Sequence, residues 1–183
     1  MHRYFFATKD TTINSGSNLI DGTTFRDKNV GQDEVLEIKK VFSDRTFKSH
    51  TRSLVQFDTN EVQRFLTANN ISSTQYSASL RLYETSGTSG LSETYHIAAY
   101  PLSQEWDEGI GKESDEPKTT EGCSWLHRKN KPGAEEVNWT TPGGTYISGD
   151  VVSQSFSSES PDINMNVTPI VKKWLDDTNQ NYG

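Results

Sequence analysis

Apolar and polar residues alternate through much of this chain, which is the pattern of β-strands with one buried face. The pattern is clearest at residues 78–83 and at 163–167, where Ile163 and Met165 alternate with asparagines. We predict further strands at 3–8, 34–42, 52–57, 94–100 and 146–152. Many short strands separated by turn residues predict an all-β fold, a jelly-roll-like antiparallel β-sandwich, rather than alternating strands and helices.

Two short helices interrupt the strands. The first starts at Asp58, which forms a capping-box arrangement with Glu61 three residues later. The second starts at Thr168, an N-cap residue, followed by Pro169 at the first helical position. We expect the second helix to lie across one open end of the sandwich and to bury Trp174. The predicted helices cover residues 58–68 and 169–176.

The composition fits one domain with a thin core. The chain has 183 residues, of which 31% are hydrophobic and 10% aromatic. A single domain, residues 1–183, of this size removes enough surface from water to fold without disulfides or metal. The aromatic content and the patterned strands argue against intrinsic disorder.

The charge distribution and the absence of long apolar runs limit the possible partners. The formal net charge is −7, and the basic residues are scattered. Because a phosphate backbone attracts clustered Lys and Arg, we predict no nucleic-acid partner. No apolar run approaches the roughly 18 residues of a membrane-spanning helix, so we predict no membrane partner. The apolar run at residues 4–7 is too short for a signal peptide, so we expect the protein to stay in the cytosol in which it is made, or to leave it inside an assembled particle.

Residues 109–144 form a long segment that is rich in Lys, Glu, Gly and Pro and shows little periodicity. A loop of this length inside a compact domain is usually functional or an insertion. Its candidate binding residues are Trp125, His127, Arg128 and Trp139. Exposed aromatic rings stack on sugars or anchor protein partners, and Arg donates hydrogen bonds. Protein contact, glycan contact and packing within the loop itself remain open.

An acidic cluster surrounds Trp106 and is a candidate metal or catalytic site. Asp107 and Glu108 are possible calcium ligands, and such carboxylates also perform glycoside hydrolysis when they lie across a sugar ring. The alternative is that they are solvated neighbours of a packed tryptophan. The single cysteine, Cys123, cannot form an internal disulfide, and its four-residue spacing from His127 is weak evidence for a nucleophile and base. We predict no enzymatic activity and no cofactor.

The order of several segments resembles the DNRLRE-type β-sandwich domain, a family related to carbohydrate-binding modules. The segments are RSLVQFD at 52–58, ASLRLYE at 78–84, YPLSQEWDEG at 100–109, WTTPGG at 139–144, VTPIVKKWLDD at 167–177 and NYG at 181–183. The resemblance covers residues 52–183 and implies a jelly-roll fold that binds or builds rather than catalyses.

The chain departs from the family pattern in three places. Residues 1–50 match more loosely, although N-terminal strands are expected there, and the loop at 111–137 is longer and more charged. The family also places a strand after the turn at 181–183, so we expect the natural polypeptide to continue or a neighbouring chain to supply that strand.

These observations predict a virion structural protein: a phage tail, neck, fibre or capsid-decoration component. Its partners are then other virion proteins in a symmetric assembly with several copies of the chain. The alternative is a carbohydrate-binding module that adheres to a cell-surface or secreted polysaccharide.

Overall fold

The computed structural model describes residues 1–17, 22–85, 95–156 and 162–183. Within these ranges the fold is rich in short antiparallel strands and has two short helices, as predicted. The strands are β1 (Ala7–Asn14), β2 (Lys40–Ser43), β3 (Thr46–Phe57), β4 (Ser79–Leu82), β5 (Tyr95–Ala99), β6 (His127–Lys129), β7 (Val137–Asn138), β8 (Val152–Phe156) and β9 (Ile163–Asn166). The helices are α1 (Thr59–Ala68) and α2 (Thr168–Leu175).

The chain divides into two compact units. The first unit comprises residues 1–57, 102–145 and 182–183, and the second comprises residues 58–101 and 146–181. Each unit contains antiparallel strand pairs, and both helices belong to the second. The single domain that we expected from the sequence stays a prediction.

The first unit is organised around β3, the longest strand. Its second half pairs with β1 and its first half with β2, which gives the sheet order β1-β3-β2. Along the β1–β3 ladder Asp10 lies opposite Val55, and Asn14 lies opposite Thr51. The residues of β3 that precede Thr51 pair with β2 and form a hairpin with it.

The core of the first unit takes only a few side chains from its sheet. The strands contribute Ile13 and Leu54, both buried. The remaining core side chains come from residues 102–145, which we call the tryptophan segment: Leu102, Trp106, Cys123, Trp125 and Trp139. The sheet and the tryptophan segment therefore share one interior.

The second unit contains two strand pairs, β4–β9 and β5–β8. On β9, Ile163 and Met165 are buried while the intervening asparagines are exposed, so the predicted alternation is confirmed. Helix α1 is also confirmed: its N-cap is Asp58, whose carboxylate accepts a hydrogen bond from the backbone N of Asn60 at 2.8 Å.

Helix α2 begins one residue earlier than predicted. Its N-cap is Val167, and Thr168 is already helical. The Thr168 hydroxyl instead accepts a hydrogen bond from the backbone N of Ala78 at 2.8 Å, which ties the start of α2 to the start of β4. Ile170 is the buried residue of the helix, whereas Trp174, the expected core residue, is only half-buried.

Four predicted strands differ from the observed ones. The strand predicted at 52–57 begins six residues earlier, at Thr46. Residues 3–6 precede β1 and are largely exposed, because pairing with β3 begins at Ala7. Within 34–42 only the last three residues join β2. Upstream, the backbone N atoms of Glu37 and Lys39 donate to threonine hydroxyls at 2.9 Å each, and such side-chain bonds compete with strand pairing.

The predicted strand at 146–152 is displaced to β8. A turn precedes β8, in which the backbone N of Asp150 donates to Ile147 O at 3.3 Å. The predicted strand at 94–100 agrees with β5, but its first residue, Thr94, lies outside the described residues. No helix in the described ranges is long and apolar enough to cross a membrane.

Candidate functional site

Trp125, the first predicted binding residue, lies inside the first unit. Its side chain is 7% exposed. The guanidinium of Arg52 lies 5.0 Å from the ring centroid, and the ring of His50 meets it edge-on with centroids 4.9 Å apart. A Cβ at Gly143 would lie 2.6 Å from the indole, and this residue has φ +90°, so glycine is required there. The ring therefore has no free face for a sugar.

Trp139 is also interior, with 3% of its surface exposed. Its indole Nε1 donates to Ser124 O at 2.9 Å, and its backbone N donates to Leu126 O at 3.1 Å. Trp106 is fully buried, and its Nε1 donates to Tyr182 O at 2.7 Å. Neither Trp125 nor Trp139 therefore presents its ring to a partner at the surface of the unit. Packing within the loop, one of the three possibilities above, describes their surroundings.

His127 and Arg128, the other two predicted binding residues, are neighbours on β6. Both are half-buried. Nδ1 of His127 has no hydrogen-bond partner among the described residues and lies 3.9 Å from the carboxylate of Glu136. Arg128 Nη1 donates to Glu105 O at 3.0 Å. A binding role for these two residues stays a prediction.

The acidic cluster around Trp106 consists of Glu105, Asp107 and Glu108, and each carboxylate contacts a lysine ammonium group or a backbone amide. Glu105 accepts a hydrogen bond from Lys129 Nζ at 2.6 Å, and this contact lowers the pKa of the Glu105 carboxyl. The Asp107 carboxylate lies 3.9 Å from Lys129 Nζ and 3.7 Å from Lys131 Nζ. Glu108 Oε1 accepts from the backbone N of Asp10 at 2.8 Å.

Asp107 and Glu108 have no third metal ligand within the part of the chain that the structure describes. Across the described residues, no three His, Cys, Asp or Glu side chains are grouped so that they could hold a metal ion. The contacts of Asp107 and Glu108 resemble those of structural carboxylates, which position the turn around Trp106.

Cys123 belongs to the core. Its side chain has no exposed surface, and burial raises the pKa of the thiol, an effect that the nearby Asp107 carboxylate increases. Because the thiolate is the nucleophilic form, this environment disfavours nucleophilic chemistry. The result fits a structural thiol.

Asn29, which no sequence motif marks, is the polar centre of the first unit. It is fully buried, and its Nδ2 donates to Glu108 O at 2.7 Å and to Cys123 O at 2.8 Å. Its Oδ1 accepts from Gly31 N at 3.2 Å and from Gly111 N at 2.8 Å. One carboxamide thus joins three stretches of irregular backbone beneath the acidic cluster. No local pattern around Asn29 signals this, because most of its partners are about eighty to ninety residues away.

The exposed aromatic side chains lie elsewhere. On the β2–β3 hairpin, Phe42 and Phe47 are 61% and 48% exposed, and their rings meet edge-on with centroids 5.8 Å apart. In the second unit Tyr100 and Tyr146 form a pair with centroids 4.6 Å apart. Each of these tyrosines keeps more than a third of its surface exposed. The two pairs therefore present ring surface that the tryptophans do not.

A shallow cleft of about 280 Å³ opens between α1 and α2 in the second unit. Tyr76 and Lys172 lie at its edge, and the Lys172 ammonium lies 5.6 Å from the Tyr76 ring centroid. Both burial and the Asp176 carboxylate raise the pKa of the Tyr76 phenol. These contacts are typical of helix packing and indicate no particular ligand.

Comparison of the chain with protein-family models, with curated proteins and with solved structures finds no match in any of the three.

Proposed function

We propose that this chain is a non-catalytic virion structural protein, a phage tail, neck, fibre or capsid-decoration component, that acts by protein–protein attachment. One contrast carries the proposal. The Cys123 thiol is buried, and the carboxylates around Trp106 contact lysines or a backbone amide, whereas Phe42 and Phe47 expose apolar rings on a hairpin. Exposed aromatic side chains are enriched at protein interfaces.

We further propose that the small antiparallel sheets belong to a jelly-roll-like sandwich. The resemblance of residues 52–183 to the DNRLRE-type domain supports this architecture, and so do the pairings β4–β9 and β5–β8 between strands that are distant in sequence. An experimental map of the protein tests it. Two facing sheets with Greek-key connections are expected, and a fold without facing sheets would contradict the proposal.

Quantitative mass spectrometry of purified particles tests the virion assignment. Particles from a lysate of the encoding host are banded by density, and peptides of this chain are counted relative to those of the major capsid protein. We expect the chain in the particle band at a fixed ratio that corresponds to several copies per particle. A chain recovered only from the particle-free fraction would refute the assignment.

The alternative, a carbohydrate-binding module, is favoured by one observation, the exposed Tyr100–Tyr146 pair. Tyrosine rings offer an apolar face and a polar hydroxyl, the combination that sugars require. A glycan array tests this role with the wild type, the variant Tyr100→Ala/Tyr146→Ala and the control Tyr83→Ala, whose tyrosine is 68% exposed in the same unit. Glycan binding that is lost only in the double variant supports a glycan role. Absence of glycan binding by all three proteins supports attachment to protein.

A further inference from the structure

The β2–β3 hairpin combines exposed aromatic rings with positive charge. Residues 39–50 hold four Lys or Arg residues and one Asp, so this stretch, the basic hairpin, carries +3 in a chain whose net charge is −7. Lys40, Arg45 and Lys48 are all exposed. No ion pair engages these three cations within the part of the chain that the structure describes. The hairpin therefore has free positive charge around an apolar surface.

A row of aromatic rings connects the tip of the hairpin to the core. Phe42 meets Phe47 at 5.8 Å between centroids, Phe47 meets His50 at 5.6 Å, and His50 meets the buried Trp125 at 4.9 Å. We call these four residues the aromatic row. Because the buried end is fixed, the exposed rings are held in place before any partner arrives, which lowers the entropy cost of docking.

The complementary surface lies in the same chain. Residues 105–121, the acidic segment, hold seven Asp or Glu residues and two Lys residues. Glu116 is exposed, and Ile110 is 62% exposed between the acidic residues of the segment. Glu113 is also exposed, although its carboxylate lies 3.3 Å from Lys28 Nζ of the same chain. This surface has the sign of charge and the apolar patch that the basic hairpin requires.

The two surfaces are anchored to opposite ends of β3. The acidic segment is anchored where Glu108 accepts from the backbone N of Asp10, which lies opposite Val55. The hairpin turn at Asp44–Arg45 is ten residues from Val55, or about 30 Å along an extended strand. We propose that the basic hairpin of one copy docks on the acidic segment of a second copy.

Such a contact joins two different surfaces and is therefore heterologous. Heterologous contacts propagate into a ring when the rotation between copies closes and into a filament when it does not. This inference rests on the proposed attachment role, since it names a second copy of the chain as the partner and the hairpin as the attachment element. It predicts self-association that depends on salt.

Sedimentation velocity of the purified chain over a concentration series tests the contact. We expect concentration-dependent species larger than 20.6 kDa, with an association constant that falls by about tenfold or more between about 0.05 M and 0.5 M NaCl, because the ion pairs are exposed. Arg45→Glu/Lys48→Glu should weaken association by about tenfold or more at low salt. Phe42→Ser should weaken it at both salt concentrations.

A control with the same change in net charge separates docking from general repulsion. Arg64→Glu/Arg81→Glu reverses two exposed arginines of the second unit and should leave the association constant within about twofold of wild type. Reversing the acidic segment as well, with Ser114→Lys/Glu116→Lys added to the hairpin double variant, should restore association. Rescue of this kind requires that the two segments meet.

Three results would overturn the inference: a monomer at every concentration at low salt, equal effects of the hairpin and control variants, or failure of the combined reversal to restore association. Failure of the proposed function is distinguishable. A chain that is found in particles but is monomeric in solution refutes only the docking contact. A chain that is absent from particles but associates through the hairpin refutes only the virion role.

Discussion

Replacement of Asn29 by alanine tests whether one buried carboxamide holds the first unit together. The side chain makes four hydrogen bonds, to the backbone of Glu108, Cys123, Gly31 and Gly111, at 2.7 to 3.2 Å. Asn29→Ala removes all four bonds and leaves a small polar cavity in the interior.

The expected cost follows from the number of backbone groups that lose a partner. Each buried polar group without a partner costs about 1–3 kcal/mol. Water that enters the space left by the carboxamide would satisfy some of the four groups, so we take the lower end of the summed range. Asn29→Ala should therefore destabilise the protein by about 4 kcal/mol, a large part of the 5–15 kcal/mol typical of whole proteins.

Urea unfolding followed by tryptophan fluorescence measures this cost. At an m-value of about 2 kcal/mol/M, the midpoint should fall by about 2 M. The control Asn138→Ala alters an exposed asparagine of the same unit and should change stability by no more than about 0.5 kcal/mol. A loss below about 1 kcal/mol for Asn29→Ala, at an unchanged m-value, would refute the reasoning.

Two further predictions concern titratable groups of the same unit. Because Cys123 is buried and its thiol pKa is raised, native protein should resist iodoacetamide at pH 8 and become labelled only on unfolding; rapid labelling of native protein would contradict this. Burial lowers the pKa of the His50 imidazole from its ordinary value of 6.5, and the positive charges of Arg52 and Lys40 lower it further. The unfolded chain thus binds this proton more readily, so stability should fall as the pH drops below about 6.5. His50→Gln should reduce that fall between pH 7.5 and 5.5 in urea midpoints, and an unchanged fall would contradict the assignment.

Local sequence signals predicted the parts of the fold that are set by neighbouring residues. The cap at Asp58 fixes the start of α1, and the alternation around Ile163 and Met165 fixes the buried face of β9. In both cases the decisive contacts or periodicity lie within a few residues of each other. Helix α2 was predicted for the same reason, with an error of one residue at its start.

Two other elements were harder to predict. The turn of the β2–β3 hairpin has an unusual sequence, and the contacts that hold the tryptophan segment come from residues distant in sequence. The turn of the hairpin has Asp44 and Arg45 at φ 50° and 61°, the left-handed conformation of a type I′ turn, where Asn-Gly is the usual signal. The segment at 109–144 has no periodicity, since its tryptophans pack on irregular backbone that Asn29 holds from far away in sequence. Charge and aromatic content alone therefore leave both a surface role and an interior role open for these rings.

Hydrogen exchange of the tryptophan indole groups, followed by ¹⁵N NMR in D₂O, tests the central claim that the tryptophan segment is interior. If these tryptophans are interior, any attachment surface must lie on other residues. The Nε1–H groups of Trp106 and Trp139 donate to Tyr182 O and Ser124 O at 2.7 Å and 2.9 Å inside the unit. We predict that both indole groups exchange far more slowly than free indole, with protection that approaches that of global unfolding. Exchange of both within the dead time would contradict it and would make these rings candidates for surface recognition again.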